Sequence, residues 1–378
     1  TPIKSSAASD VYKRQVMNMP HLPVKSLRLK KVQTENLILG IHFLLLKKCK
    51  IFDEKTIVTC YTGRSMRIYV RKHERRGYQS IKMSNILEKQ FLKQRNDFEK
   101  SCVERDKKYH FPQGVIFETD IAYAKDKNKA HRLDRYRPKG KEAQILPVII
   151  NVHGGGLLLG NKEFNKYFCA LLSKKGFLVY SMEYRLIPDC TFFDQLRDIF
   201  LAMDFVREHA AADGGDLSHV YLVGDSGGAC LATYANAIQN SKKIAKAAGI
   251  KPSELKVHAL GLISGMFYTT KFDKIGLFLP KYLYGKQYRK APFAAYVNPE
   301  NPELLYALAP AWLVTSHNDY LRNYTIRFEK ALTAAKMEHE IVDFPRNKKL
   351  THAFSVFEPY LPESDAVLEM LVEYLKKF

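Results

Sequence analysis

From residue 83 onward the apolar positions of the chain fall into two alternating rhythms. Leu87, Phe91, Phe98 and Cys102 recur at helical spacing among Lys, Glu and Arg, which predicts about five turns of amphipathic helix from Ser84 towards Arg105. Val115 to Tyr123 then alternates and is rich in β-formers, Lys125 to Lys129 reads as a charged turn, and Leu133 to Arg137 reads as the returning strand of an antiparallel hairpin. Beyond the hairpin, apolar runs at Pro147–Val152, Phe177–Tyr180 and Val220–Val223 alternate with helical patterns near Phe164–Lys174, Asp194–His209 and Ala229–Gln239. Three more strands are expected at Val257–Ser264, Ala311–Ser316 and Glu340–Phe344, with helices over Tyr324–Lys336 and Ala366–Lys377. Near-continuous apolar strands separated by helices imply an α/β fold, with a mostly parallel central sheet covered by helices on both faces.

Composition fits this picture. The chain has 378 residues, of which 46% are hydrophobic and 26% charged, enough to bury a large core and unlike a fibrous or multi-span membrane protein. A formal charge of +21 suggests a polyanionic partner, so its position matters. Residues 1–15 carry +2, and residues 16–82 carry 15 Lys and Arg against 4 Asp and Glu, which leaves +8 for residues 83–378. The excess is N-terminal, and it comes without a helix-turn-helix, a zinc pattern or an aromatic RNA-binding motif, so no nucleic acid is expected as partner. Cysteines at 49, 60, 102, 169, 190 and 230 form neither a CxxC pair nor a dense framework, which points to reduced thiols and a cytoplasmic location.

The N-terminus stands apart. The chain begins with Thr, and Asp10-Val11-Tyr12-Lys13-Arg14-Gln15 can be encoded by GAT GTG TAT AAG AGA CAG, which resembles a transposase end sequence used in sequencing libraries. Residues 1–15 therefore read as translated adapter, Met83 as the expected native start, and the basic segment 16–82 as translated upstream DNA. A rival reading keeps 16–82 as native, with Leu37 to Leu46 as a short apolar element between lysines. Ten residues cannot cross a bilayer as a helix, which needs about 20, and no small-residue cleavage site follows, so stable membrane insertion is not expected.

Two glycine motifs fall at strand ends. Gly224-Asp225-Ser226-Gly227-Gly228 lies between the strand Val220–Val223 and the helix near Ala229–Gln239. A serine on a tight strand-to-helix turn projects its hydroxyl above the sheet, and flanking glycines let neighbouring backbone pass. His153-Gly154-Gly155-Gly156 follows the strand Pro147–Val152, and consecutive glycines can aim backbone N–H groups at a developing oxyanion. This loop lacks the spacing of a dinucleotide fingerprint and the Gly-Lys-Ser/Thr ending of a phosphate loop. A nucleophilic serine needs a base and an orienting acid. Asp319 lies just past the strand Ala311–Ser316, and His352 lies in the loop after Glu340–Phe344. The resulting order Ser226, Asp319, His352 differs from that of trypsin-like and subtilisin-like enzymes. His153 reads as an anchor of the glycine loop rather than as the base.

Together with Glu183-Tyr184-Arg185-Leu186 and Leu133-Asp134-Arg135-Tyr136-Arg137-Pro138, these motifs resemble the hormone-sensitive-lipase family of α/β-hydrolase esterases over roughly residues 83–378. The family commonly has Ala where Gly227 stands, and often Pro-Glu where this chain has Pro188-Asp189. The resemblance implies an α/β-hydrolase fold with a small helical cap, and a carboxylic ester hydrolase acting through an acyl-enzyme on short to medium acyl or aryl esters. Ser226, Asp319 and His352 would be catalytic, and Gly154, Gly155, Gly156 and Gly227 would form the oxyanion hole. The partner is a small-molecule ester, and the chemistry calls for no metal or organic cofactor. Cap elements are expected at 84–105 and at 267–306, where Phe272, Phe278, Tyr282, Tyr284, Tyr288, Phe293 and Tyr296 could wall an acyl pocket or simply pack the insertion onto the sheet. Two other classes share these features: a serine amidase or peptidase, and a non-catalytic small-molecule receptor on the same fold.

Overall fold

The computed structural model describes residues 58–61, 67–71, 78–271, 273, 275 and 279–378. The readings of residues 1–15, of the apolar run 37–46 and of Phe272 and Phe278 lie outside these residues, as does most of the reading of 16–82. The chain divides into two compact units, one taking in Asp10–Asp97 and the other Phe98–Phe378. In the first, β1 (Val58–Tyr61), β2 (Arg67–Arg71) and β3 (Tyr78–Lys82) pair antiparallel in that order. Helix α1 (Met83–Asp106) starts in this unit, and its residues from Phe98 belong to the second.

The second unit is built on eight strands: β4 (Val115–Ala122), β5 (Arg132–Pro138), β6 (Leu146–Val152), β7 (Leu178–Met182), β8 (Gly215–Asp225), β9 (Ala259–Ile263), β10 (Ala311–Ser316) and β11 (His339–Phe344). Their order is β11-β10-β9-β8-β6-β7-β5-β4, parallel from β11 to β7 and antiparallel at β7-β5-β4. The parallel sheet and the hairpin expected from the hydrophobic rhythm are both present. Every residue of β7, β9 and β10 is buried, so both faces of the sheet are covered, which explains why these segments are apolar throughout. Chain order reverses between β6 and β8, and in open α/β sheets the crevice beyond the strand ends at such a reversal is where ligands bind.

The covering helices are α2 (Lys166–Lys174), α3 (Phe192–His209), α4 (Gly227–Asn240), α5 (Lys242–Ala248), α6 (Pro280–Tyr284), α7 (Pro302–Tyr306), α8 (Arg322–Ala334), α9 (Phe354–Phe357) and α10 (Pro362–Leu375). Helix α3 starts two residues before the expected Asp194 because Thr191 and Asp194 form a reciprocal capping box, each side chain accepting from the other's backbone N–H. Helix α5 was not expected; Ser241 caps its first turn and Gly249, at φ +63°, ends it. Among the described residues, no helix is long and apolar enough to cross a membrane.

Within the insertion between β9 and β10, Tyr284, Phe293 and Tyr296 are buried. Tyr284 and Phe293 meet Phe193 edge-on at 6.2 and 5.0 Å between ring centres, and the Tyr234 hydroxyl donates to Tyr296 O and Val297 O. These aromatics fasten the insertion to α3 and α4.

Arg105 is fully buried despite its charge. Its Nη1 donates to Phe164 O at 2.7 Å, its guanidinium lies 4.6 Å from the Phe164 ring centre and 5.3 Å from that of Tyr167, and Asp106 pairs with it at 2.8 Å. Phe98 packs tilted against the same Phe164 ring at 4.9 Å and reaches Phe357 at 6.5 Å. Arg105→Met is expected to cost about 2–3 kcal/mol, because it leaves the buried Phe164 carbonyl without its charged donor. Urea unfolding measures this loss, and a midpoint equal to wild type would contradict it.

Candidate active site

The C-terminal ends of five neighbouring strands bring the site together. Gly224 and Gly228 are required by close approach: a Cβ on Gly224 would lie 2.6 Å from the carbonyl carbon of Gly228, and one on Gly228 would lie 2.0 Å from Val152 O. The turn these glycines permit holds Ser226 at φ +51° and ψ −113° as the residue that opens α4. This conformation disfavours any residue with a side chain, and it lifts the hydroxyl off the sheet. Helix α4 starts at Gly227, so the free N–H groups of its first turn surround the serine.

Residues separated by 126 positions meet here: His352 Nε2 lies 2.9 Å from Ser226 Oγ, while His352 Nδ1 lies 2.8 Å from Asp319 Oδ1. Asp319 also accepts from Leu321 N–H at 2.7 Å and from Thr315 Oγ1 at 3.2 Å. Burial opposes ionisation of the Asp319 carboxyl, yet the charge and hydrogen bond of His352, with the Ser264 hydroxyl and Leu321 N–H, hold it below its ordinary range. Ser226, Asp319 and His352 are all buried. Cys230, one helical turn beyond the serine, has its thiol pushed up to about 12 by burial and offers no competing thiolate.

The glycine loop is held from behind. Gly155 and Gly156 adopt positive φ values of 114° and 62°, and a Cβ on Gly155 would lie 1.8 Å from Leu159 O. Gly154 differs from its neighbours, since its N–H donates to Asp225 Oδ1 at 2.9 Å; the same oxygen accepts from Asn165 Nδ2 at 2.8 Å. Among the described residues, no acceptor meets the N–H groups of Gly155, Gly156 or Gly227. Gly227 packs so closely on the loop that a Cβ there would lie 3.0 Å from Gly156 N and 2.9 Å from Leu157 N. Those three donors therefore stay unpaired in the loop and turn that adjoin Ser226.

His153 is fully buried, with Nε2 at 3.0 Å from Glu183 Oε1, Nδ1 at 2.7 Å from Gly154 O, and its ring stacked at 4.2 Å on Tyr184, whose hydroxyl donates to His153 O. Burial works against a charged ring, but the Glu183 carboxylate outweighs it and holds His153 above its ordinary range. Arg185 in turn pairs with buried Asp198 at 2.6 Å. Glu183 and Tyr184 therefore fix the loop through His153, and Arg185 fastens this stretch to α3. Sequence reading did not single out Asn165 or Ser264; neither sits in a recurrent motif, and both act through partners far away in the chain.

The fold and these motifs define an α/β hydrolase. The chain belongs to the α/β-hydrolase fold family, whose family model matches residues 149–356, and to its branch of hormone-sensitive-lipase-like esterases. Esterase B of Lactobacillus rhamnosis, in a crystal structure described as C6-C4 SN3 inhibited, is similar with a TM-score of 0.71 and 25% identity, covering 76% of this chain and 96% of that one. The carboxylic ester hydrolase LipN of Mycobacterium tuberculosis is 30% identical over 58% of this chain and 59% of its own. An isoprenylcysteine alpha-carbonyl methylesterase of Arabidopsis thaliana is 32% identical over 114 residues, and the chain spans 26% of that relative's length.

Proposed function

We propose that this chain is a serine carboxylesterase that hydrolyses short to medium acyl or aryl esters of small molecules through an acyl-enzyme. The observation that carries the reading is the unbroken relay from Asp319 Oδ1 through the His352 ring to Ser226 Oγ, at 2.8 and 2.9 Å, beside a cradle of backbone N–H groups without acceptors. His352 takes the hydroxyl proton as Ser226 Oγ adds to the ester carbonyl, and Asp319 holds the ring with Nδ1–H towards it and stabilises the imidazolium. The N–H groups of Gly155, Gly156 and Gly227 receive the oxyanion, while Gly154 tethers the loop to Asp225. Collapse of the tetrahedral species breaks the ester C–O bond, and His352 passes its proton to the departing alcohol. Water then adds to the acyl-enzyme with His352 as base, which releases the acid and restores Ser226.

The esterase activity of relatives of the same family supports this reading. The free thiols of Cys102, Cys169, Cys190 and Cys230 favour a reducing compartment, the cytoplasm.

A series of 4-nitrophenyl esters of increasing acyl length, run beside the matching anilides, tests the proposal. Turnover of the esters with a maximum at short to medium acyl length, and anilide rates lower by about 10²-fold or more, is the expected result. An aryl phosphonate should label Ser226 one to one, as read by peptide mass. Failure to cleave any ester, or labelling elsewhere, would reject it.

A further inference from the structure

Ser264 directly follows β9 and is 2% exposed, with φ at +50°. A positive φ on a residue other than glycine costs about 1 kcal/mol or more, and the next residue, Gly265, shows that the chain does use glycine here. What glycine lacks is the hydroxyl. Ser264 Oγ accepts from the N–H of Ala353, the residue after His352, at 3.0 Å across 89 positions of chain. The same hydroxyl is among the groups that hold the Asp319 carboxyl below its ordinary range, and Asp319 Oδ2 receives Thr315 Oγ1 at 3.2 Å. The flanking backbone clamps the nucleophile: Ile263 O accepts from Ser226 N–H at 2.8 Å, and Met266 N–H donates to Ser226 O at 2.9 Å. The Ser264 N–H is anchored on Val314 O at 2.8 Å, in the neighbouring strand.

We infer that Ser264 is a positioning residue for the triad, its hydroxyl anchoring the backbone of the loop that carries the base, while the segment around it fixes the nucleophile. The inference rests on the serine-hydrolase reading above. A hydroxyl is suited to the task because its oxygen can accept the buried Ala353 N–H, which a glycine side chain cannot. One strand end therefore touches both the backbone of the nucleophile and the loop that carries the base, so a shift of the His352 loop relative to Ser226 has to break the Ala353–Ser264 hydrogen bond.

The test is a pair of substitutions with opposite expected effects. Ser264→Gly removes the hydroxyl and relieves the positive φ, so kcat on a 4-nitrophenyl ester should fall about 10-fold or more, with KM within about twofold and a melting temperature within about three degrees of wild type, the relieved strain partly offsetting the lost acceptor of Ala353 N–H. Ser264→Thr keeps the hydroxyl but places a β-branched residue at positive φ, so kcat should stay within about threefold while the melting temperature falls by several degrees. A purely structural role cannot produce that crossed pattern. Wild-type kcat in Ser264→Gly, or parallel losses of kcat and stability in both variants, overturns the inference. A wild-type chain that cleaves no ester removes the parent reading and this one together, whereas an active wild type matched by Ser264→Gly removes only the role of Ser264.

Discussion

Ser226→Ala is expected to lower kcat on an aryl ester by about 10⁴-fold or more, with the fold intact. The size follows from the absence of any substitute at the site. His352 Nε2 faces Ser226 Oγ at 2.9 Å, and the thiol of Cys230, four residues on, is held protonated by burial with its pKa up at about 12. Alanine keeps the Cβ and the φ of +51°, so the turn carries the same strain as before and the melting temperature should stay within about two degrees of wild type. The remaining activity would come from the backbone N–H cradle and from substrate binding, which the substitution leaves in place. Steady-state kinetics and a thermal melt on the same preparation check both halves. Retention of more than about a hundredth of wild-type kcat would assign the nucleophile to another group.

How much of this was legible in the sequence depended on the range of the interactions involved. The strand Ala311–Ser316 was placed to the residue because a fully buried parallel strand is an apolar run with polar ends. The turn at Ser226 was legible because close backbone approach permits only glycine at 224 and 228, which leaves a five-residue signature. The chain order of Ser226, Asp319 and His352 was legible because strand ends, once located, restrict which loops can converge. Arg105 shows where such reasoning stops: an arginine among charged neighbours on an amphipathic helix reads as a solvated face, and its burial is decided by Phe164, 59 positions away. Asn165 and Ser264 were silent for the same reason. The part of the site that chain-local patterns announced is the convergence of Ser226, Asp319 and His352, and the part they omitted is the buried hydrogen bonding that holds it in place.

Asp319→Asn separates these two contributions, because it leaves the shape of the site and removes the charge. Asn can still accept at one oxygen, but its amide adds a donor where the carboxylate had only acceptors. His352 Nδ1, at 2.8 Å, can then turn to the tautomer that leaves Nε2 protonated towards Ser226. Expected kcat is lower by about 10³–10⁴-fold, with KM changed far less. A second effect concerns stability. The native environment holds the Asp319 carboxyl below its ordinary range, so the unfolded chain binds this proton more readily than the native one as the pH falls. The stabilisation is fully present above the unfolded value, near pH 4, and is lost as the pH drops through the lower native value. The stability gap between wild type and Asp319→Asn should therefore be constant at neutral pH and shrink below about pH 4. Denaturant unfolding across that range measures it, and a gap that stays constant down to the native value would show that the paired carboxylate contributes nothing to the fold. A kcat loss smaller than about 10-fold would place the orienting charge elsewhere. The sharpest result would combine a large kinetic loss with a small stability gap at neutral pH, because Leu321 N–H can still donate to the Asn oxygen and the Thr315 hydroxyl can turn to accept from its amide, while the imidazolium formed in the reaction needs the charge.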